Sequence, residues 1–199
     1  MTLRIRHLRM RAKTPAGPYG ADIRFASGLN VIWADNTKGK STCMQGMLYA
    51  LGLERMLSPR REVPLPHAMT SFLKNDDETQ LNVLESTVSL EIENGAKQVI
   101  TVHRSIKNAL VDNRLISVDF GPTLTDKTVR TERRNFFVVD GGAAKREDGF
   151  HHFLEQFLGW QLPLVRRYEG SDCKLYLETI FPLFWVEHDV PPKFHPAAS

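Results

Sequence analysis

The chain has 199 residues, 42% of them apolar and 25% charged, with a formal net charge of +3 and a sequence pI near 8.9. This is the balance of an ordinary soluble domain, able to bury about 70% of its unfolded surface and needing no staples to hold a core. The mild basicity permits contact with nucleic acid without arguing for it. Cys43 and Cys173 stand far apart and in no metal-ligand spacing, which speaks against a disulfide framework and for a reducing cytoplasm. No apolar run approaches the roughly 20 residues that span a bilayer, so no membrane partner is expected. The first residues, Met1 to Arg6, lack the apolar core of a signal peptide.

In chain order, residues 2 to 8 read as a strand, because Leu3 and Ile5 alternate with Arg4 and Arg6. A turn-rich stretch follows with Pro15, Gly17, Pro18 and Gly20. Asp22 to Phe25 alternates again and predicts a second strand. The run Leu29-Asn30-Val31-Ile32-Trp33 predicts a strand buried on both faces. A helix is expected to open at Lys40, with Met44, Met47, Leu48 and Leu51 on one face. Pro59, Pro64 and Pro66 end it, and residues 58 to 80 read as an exposed polar excursion. Period-two alternation then predicts a hairpin. Its outgoing strand holds Val88, Leu90 and Ile92, its turn is Asn94-Gly95, and its return strand runs from Gln98 to Arg104. Short strands follow at Leu115 to Val118 and Phe136 to Val139. Phe150, Phe153, Leu154, Phe157 and Leu158 form one face of a helix stopped by Gly159. Leu175 to Ile180 leads to the strand-like Leu183 to Val186, and residues 191–199 form a loose tail.

The segment between the third strand and the first helix carries the strongest chemistry. Ala34-Asp35-Asn36-Thr37-Lys38-Gly39-Lys40-Ser41-Thr42 fits the phosphate-loop pattern, in which consecutive backbone N–H groups and a helix N-terminus cradle a triphosphate. Asn36, Thr37, Lys38 and Gly39 supply the turn. Lys40 reaches the β- and γ-phosphates, the Ser41 hydroxyl ligates Mg²⁺, and Thr42 reaches the α-phosphate. Alanine replaces the usual first glycine at position 34, at a cost on the order of 1 kcal/mol if that position needs positive φ.

The stretch from Leu3 to Leu53 resembles the start of an SMC/RecF-type ABC ATPase head. The resemblance is carried by Leu-Arg-Ile-Arg-His-Leu-Arg, Ile-Arg-Phe, Gly-Leu-Asn-Val-Ile, Asn-x-x-Gly-Lys-Ser-Thr and Leu-Tyr-Ala-Leu-Gly. It implies an α/β P-loop NTPase with an ABC-type lobe, in which a central mixed sheet carries the loop beside a smaller antiparallel sheet. That lobe would span residues 1–190. The resemblance further implies ATP and Mg²⁺ as ligands, and places His188, after Glu187, at the position where such heads use a glutamine to touch metal and attacking water. It implies phosphate contacts from Arg9 or Arg11, with a plain surface role as the alternative for each.

The signature motif and the Asp-Glu strand of such heads follow a long coiled coil, and neither occurs here. The resemblance therefore implies the N-terminal half of a head. It would need a C-terminal half and a second head for hydrolysis, and would act on DNA in repair, chromosome maintenance or phage defence, with a nuclease or other effector subunit as a further partner. Two alternatives stand beside it. One is a stand-alone P-loop kinase or NTPase with Asp140, after Phe136 to Val139, as its Walker B aspartate. The other is a non-hydrolysing module in which ATP stabilises an assembly. Two basic clusters, Arg55, Arg60 and Arg61, and Lys127, Arg130, Arg133 and Arg134, are candidate DNA contacts or solvated surface.

Overall fold

Alternating burial along the first strand sets the whole fold. In β1 (Arg4–Thr14) Leu8, Met10, Ala12 and Thr14 are buried, whereas Arg9, Arg11 and Lys13 are not. The strand runs well past the expected end at residue 8. It turns at residues 15 and 16 into β2 (Gly17–Arg24), pairing antiparallel from His7 opposite Arg24 to Thr14 opposite Gly17. The turn-rich stretch is thus mostly strand. Pro18 is tolerated because β2 is an edge strand, where a missing N–H breaks no ladder.

The computed structural model describes residues 2–35, 39–57, 63–75, 77–138, 148–166, 168–175 and 177. The chain divides into two compact units, Met1–Leu162 and Pro163–Ser199. In the first, helix α1 (Lys40–Ala50) and a 3-10 turn (Glu54–Met56) precede α2 (His67–Thr70) and the small hairpin of β3 (Phe72–Lys74) with β4 (Gln80–Asn82). Next come β5 (Glu85–Glu93), β6 (Val99–Lys107), β7 (Leu115–Asp119), β8 (Arg133–Phe137) and helix α3 (Phe150–Leu158). The second unit contributes the two-stranded pair β9 (Leu164–Arg166) and β10 (Asp172–Lys174).

The main sheet has six strands in the order β2-β1-β5-β6-β7-β8, and every adjacent pair is antiparallel. The expectation of an α/β chain with a large and a small sheet holds. The large sheet is antiparallel rather than mixed, because its strands follow one another through hairpins except where β1 pairs with β5. Register stacks one inner row across five strands, Met10, Val88, Arg104, Ile116 and Phe136, and a second through Leu8, Leu90, Val102 and Val118. All of these are buried. Helix α1 packs on this face. Its Gly46 lies so close to β1 that a Cβ there would meet Met10 Sδ at 2.6 Å, so glycine sets the distance between helix and sheet.

Three expectations need correction. Leu29 to Trp33 is not in a strand, and Leu29, Val31 and Trp33 are 93%, 79% and 86% exposed. The run is apolar enough for two-sided burial, but no described strand pairs with it. Residues 58 to 80 hold α2 and a β-hairpin rather than only a polar excursion. At the β5–β6 turn the left-handed residue is Lys97, φ 65°, and not Gly95. Asn94 Oδ1 accepts from the backbone N–H groups of Ala96 and Gln98, both at 3.0 Å, which spreads the turn over four residues. The later helix forms as expected, with Gly159 at φ 64° closing α3.

Candidate functional site

Gly39 stands at the N-terminus of α1 with φ 85° and ψ 15°, a left-handed conformation in which a side chain would be strained. It turns the chain from the preceding loop into the helix, and its carbonyl accepts the first helical bond from Cys43 N–H at 3.0 Å. No side chain caps this end and no acidic residue lies in its first turn. The first backbone N–H groups of any helix lack intrahelical partners and carry the positive end of its dipole. Lys40 reaches back to the chain before the helix, its ammonium donating to the carbonyl oxygens of Ala34 at 2.6 Å and Asp35 at 2.9 Å. Ser41 is exposed and Thr42 half-buried. Among the described residues only Glu78 and Lys97 are non-glycines with positive φ. Ala34 therefore carries no left-handed strain, and the cost weighed for its substitution does not arise.

The other end of α1 is pinned by a buried ion pair. Arg104 on β6 and Glu54 are 3% and 9% exposed. The guanidinium meets the carboxylate twice, at 2.7 and 2.8 Å, and donates to the carbonyls of Tyr49 at 2.6 Å and Asn113 at 2.7 Å. It also lies 3.9 Å from the centre of the Tyr49 ring. Burial works against the Glu54 charge, but the Arg104 bonds outweigh it and hold the carboxyl below its usual range. Burial pushes the Tyr49 phenol up to about 12 despite the opposing Arg104 charge, and the phenol donates to the Ser105 carbonyl at 2.9 Å. The helix that begins at the loop is thereby fixed to the sheet at its far end.

The other site candidates are distributed differently. Arg9 and Arg11 lie on the face of β1 opposite Met10, and hence opposite α1. Both bind Asp22, at 2.7 and 3.0 Å, and the Asp22 carboxylate is also hydrogen-bonded by the buried His7. Burial opposes the Asp22 charge, but the bonds from His7 and Arg9 hold its carboxyl at about 2. The structure does not bring Arg9 and Arg11 to the loop, because period-two geometry sends alternate side chains to opposite faces. Asn36, Thr37, Lys38, Asp140 and His188 lie outside the described residues, as does the expected boundary at 190. The strand that leads toward Asp140, β8, is the antiparallel edge of the sheet. In the basic clusters, Arg133 is held by Asp119 at 2.6 and 2.8 Å, and Arg134 lies 5.4 Å from the Phe136 ring centre.

Sequence reasoning missed a polar line on the outer face. Ser89 Oγ is 2.8 Å from His103 Nδ1, and His103 Nε2 is 3.0 Å from Asp119 Oδ2. These residues share a face only once the register of β5, β6 and β7 is known. With Arg133 clamped on the same carboxylate, the line is a cross-strand ladder that holds register.

Two cavities flank the loop. A cleft of ≈ 870 Å³ is lined by Ile5, Phe25, Val31, Ile32, Lys40 and Met47 among others. A smaller pocket of ≈ 160 Å³ touches Gly39 and Thr42. Among the described residues no group of three or more His, Cys, Asp or Glu could hold a metal ion, and no helix is long and apolar enough to cross a membrane. No family model, curated protein or solved structure matches the chain.

Proposed function

We propose that this chain is the ATP-binding N-terminal half of an SMC/RecF-like ATPase head, which hydrolyses ATP only when joined by a C-terminal half and a second head. The observation that carries the reading is the junction at Gly39: a left-handed glycine, an uncapped helix N-terminus and a lysine bonded back to the Ala34 and Asp35 carbonyls. Such a junction suits an anionic phosphate chain, with the backbone N–H groups donating and the Lys40 ammonium exchanging carbonyl partners for phosphate oxygens. Ser41 would hold Mg²⁺ beside them. The ion would supply neutralisation of phosphate charge.

The need for a second polypeptide is supported by the run at residues 29–33. Three large apolar side chains are exposed there, next to the ≈ 870 Å³ cleft. Contiguous apolar exposure of this kind marks an interaction surface. Strands from the C-terminal half would cover the run and make it a buried strand. The stand-alone kinase reading is less well supported, since the strand before Asp140 is an antiparallel sheet edge remote in strand order from the loop-bearing end. DNA, through Lys127 and Arg130, both exposed, completes the proposal.

Calorimetric titration with MgATP tests it. The wild-type chain binds, and Lys40→Ala loses about 10–150-fold in affinity, the worth of about 1.5–3 kcal/mol of charged hydrogen bonding. ATP turnover rises above background only when a C-terminal half is added. Equal affinity in wild type and Lys40→Ala, or full turnover by the chain alone, would overturn the proposal.

A further inference from the structure

We infer that a third cavity, of ≈ 460 Å³ between α2 and the end of β6, binds a small organic acid, with the apolar body on Leu65 and Ile106 and a single carboxylate on Lys107. The inference does not depend on the phosphate loop. The lining of this pocket shares no residue with either cavity beside the loop. Helix α2 gives Ala68 and Met69 to the smaller of those, and His67 and Thr70 to this one.

The sequence builds the apolar part of the pocket. Val63 and Leu65 each precede a proline, which restricts both to extended backbone. With Pro66 they line the cavity opposite Ile106 of β6, and Leu65 and Ile106 are themselves buried. The volume falls in the range of about 300–1,000 Å³ that holds a small molecule. The polar lining comes from His67, Thr70, Ser71 and Lys107. The three from α2 and its C-cap are loosely satisfied. Ser71 Oγ lies 3.5 Å from His67 Nδ1 and 3.4 Å from Thr70 Oγ1, which donates to the Pro66 carbonyl at 3.3 Å. These are longer than the roughly 2.5–3.0 Å of a good hydroxyl bond, so a ligand oxygen can compete for the donors.

The charge of the lining selects the ligand. Neither aspartate nor glutamate lines the pocket. Lys107 donates to the Val83 carbonyl at 2.6 Å, a neutral acceptor, and makes no ion pair with an acid among the described residues. An ammonium has three donors, so that one bond leaves the charge and two donors for a partner. A ligand oxygen of negative charge meets them with the stronger, charge-assisted kind of hydrogen bond. Lys107 is the one permanently charged side chain in the lining, and a monocarboxylate balances it. A phosphate monoester would carry a charge that this pocket does not match.

The test titrates the isotope-labelled full chain with hydrocinnamate, its neutral counterpart hydrocinnamyl alcohol, and phenyl phosphate, following backbone amide shifts by NMR. Hydrocinnamate is expected to shift the amides of Leu65, Thr70, Ser71 and Lys107, and to bind about 10–150-fold more tightly than the alcohol, the worth of a hydrogen bond to a charged group. Lys107→Met keeps the apolar stem and lowers hydrocinnamate affinity to that of the alcohol. Its alcohol binding is unchanged, which also shows that the variant is folded. Thr70→Phe narrows the pocket and weakens both probes by at least about tenfold. Lys40→Ala binds hydrocinnamate as the wild type does. Equal wild-type affinity for acid and alcohol, shifts centred away from these residues, or wild-type hydrocinnamate affinity in Lys107→Met or Thr70→Phe would refute the site. Loss of hydrocinnamate binding in Lys40→Ala would refute its independence from the loop. Phenyl phosphate binding more than about tenfold tighter than hydrocinnamate would overturn the single-carboxylate assignment.

Discussion

Replacing Arg104 by leucine removes the group that ties α1 to the sheet, and the expected outcome can be worked from its contacts. The guanidinium satisfies both oxygens of Glu54 and the carbonyls of Tyr49 and Asn113. Arg104→Leu leaves a buried carboxylate without its guanidinium partner, which costs about 3–5 kcal/mol. At about 2–4 °C per kcal/mol for a chain of this size, the melting temperature falls by about 6–20 °C. The double variant Glu54→Leu/Arg104→Leu is more stable than Arg104→Leu, because it deletes the orphaned charge and leaves only the carbonyls unpaired. Acid separates the charge from simple loss of packing. In the wild type the Glu54 carboxyl is held below its usual range, so its contribution is present above the unfolded carboxylate pKa and is lost as pH falls through the folded one. In Arg104→Leu the burial that raises that carboxyl is opposed only by a backbone hydrogen bond and by His151, so protonation relieves the variant. Thermal unfolding followed by circular dichroism between pH 7 and pH 4 should show the gap to wild type narrowing on acidification. A loss of less than about 2 °C, under 1 kcal/mol by the same conversion, or a gap that widens in acid would refute the reasoning.

Gly39→Ala meets no atom within 4 Å of the new Cβ, so its cost is backbone strain alone, about 1–2 kcal/mol. Thermal melts should show that modest loss, and MgATP titration a weaker affinity because the first-turn amides are displaced. Asp22→Asn removes the carboxylate that His7, Arg9 and Arg11 share. Because the folded pKa of about 2 lies below the ordinary 3.8, wild type should be the more stable form above about pH 4, with the difference shrinking as pH falls toward about 2. A constant difference across that range would show that Asp22 acts by packing alone. Trp33→Ser removes an apolar group that is already 86% exposed, so the isolated chain should melt within about 1 °C of wild type, as surface substitutions do. The same variant should weaken capture of an added C-terminal half.

Much of the fold was legible because single-chain patterns suffice for it. The alternation of Val88, Leu90 and Ile92, the Asn94 turn and the phenylalanine face of α3 are local signals, and the elements form where they are expected. The start of α1 at Lys40 was legible for the same reason, since the glycine before it marks the turn into the helix. What depended on register was not legible. The ion pair of Glu54 with Arg104, fifty residues apart in sequence, and the line from Ser89 to Asp119 exist only once the strands are aligned. Arg9 and Arg11 were expected near phosphate because they follow the first strand. Extension of β1 to Thr14 instead places them within the ladder, on the face away from α1. Leu29 to Trp33 shows the converse. Its composition specifies burial on both sides, but the described residues supply no strand to pair with it, so the local pattern and the observed exposure disagree.

The most direct test of the central claim is a crystal structure of the chain grown with Mg²⁺ and a non-hydrolysable ATP analogue. The account predicts the β-phosphate within hydrogen-bonding distance of the backbone N–H groups from Gly39 to Thr42, with the Lys40 ammonium moved from the Ala34 and Asp35 carbonyls onto phosphate oxygen. Nucleotide bound elsewhere, or a loop left with Lys40 on those carbonyls at saturating nucleotide, would contradict it.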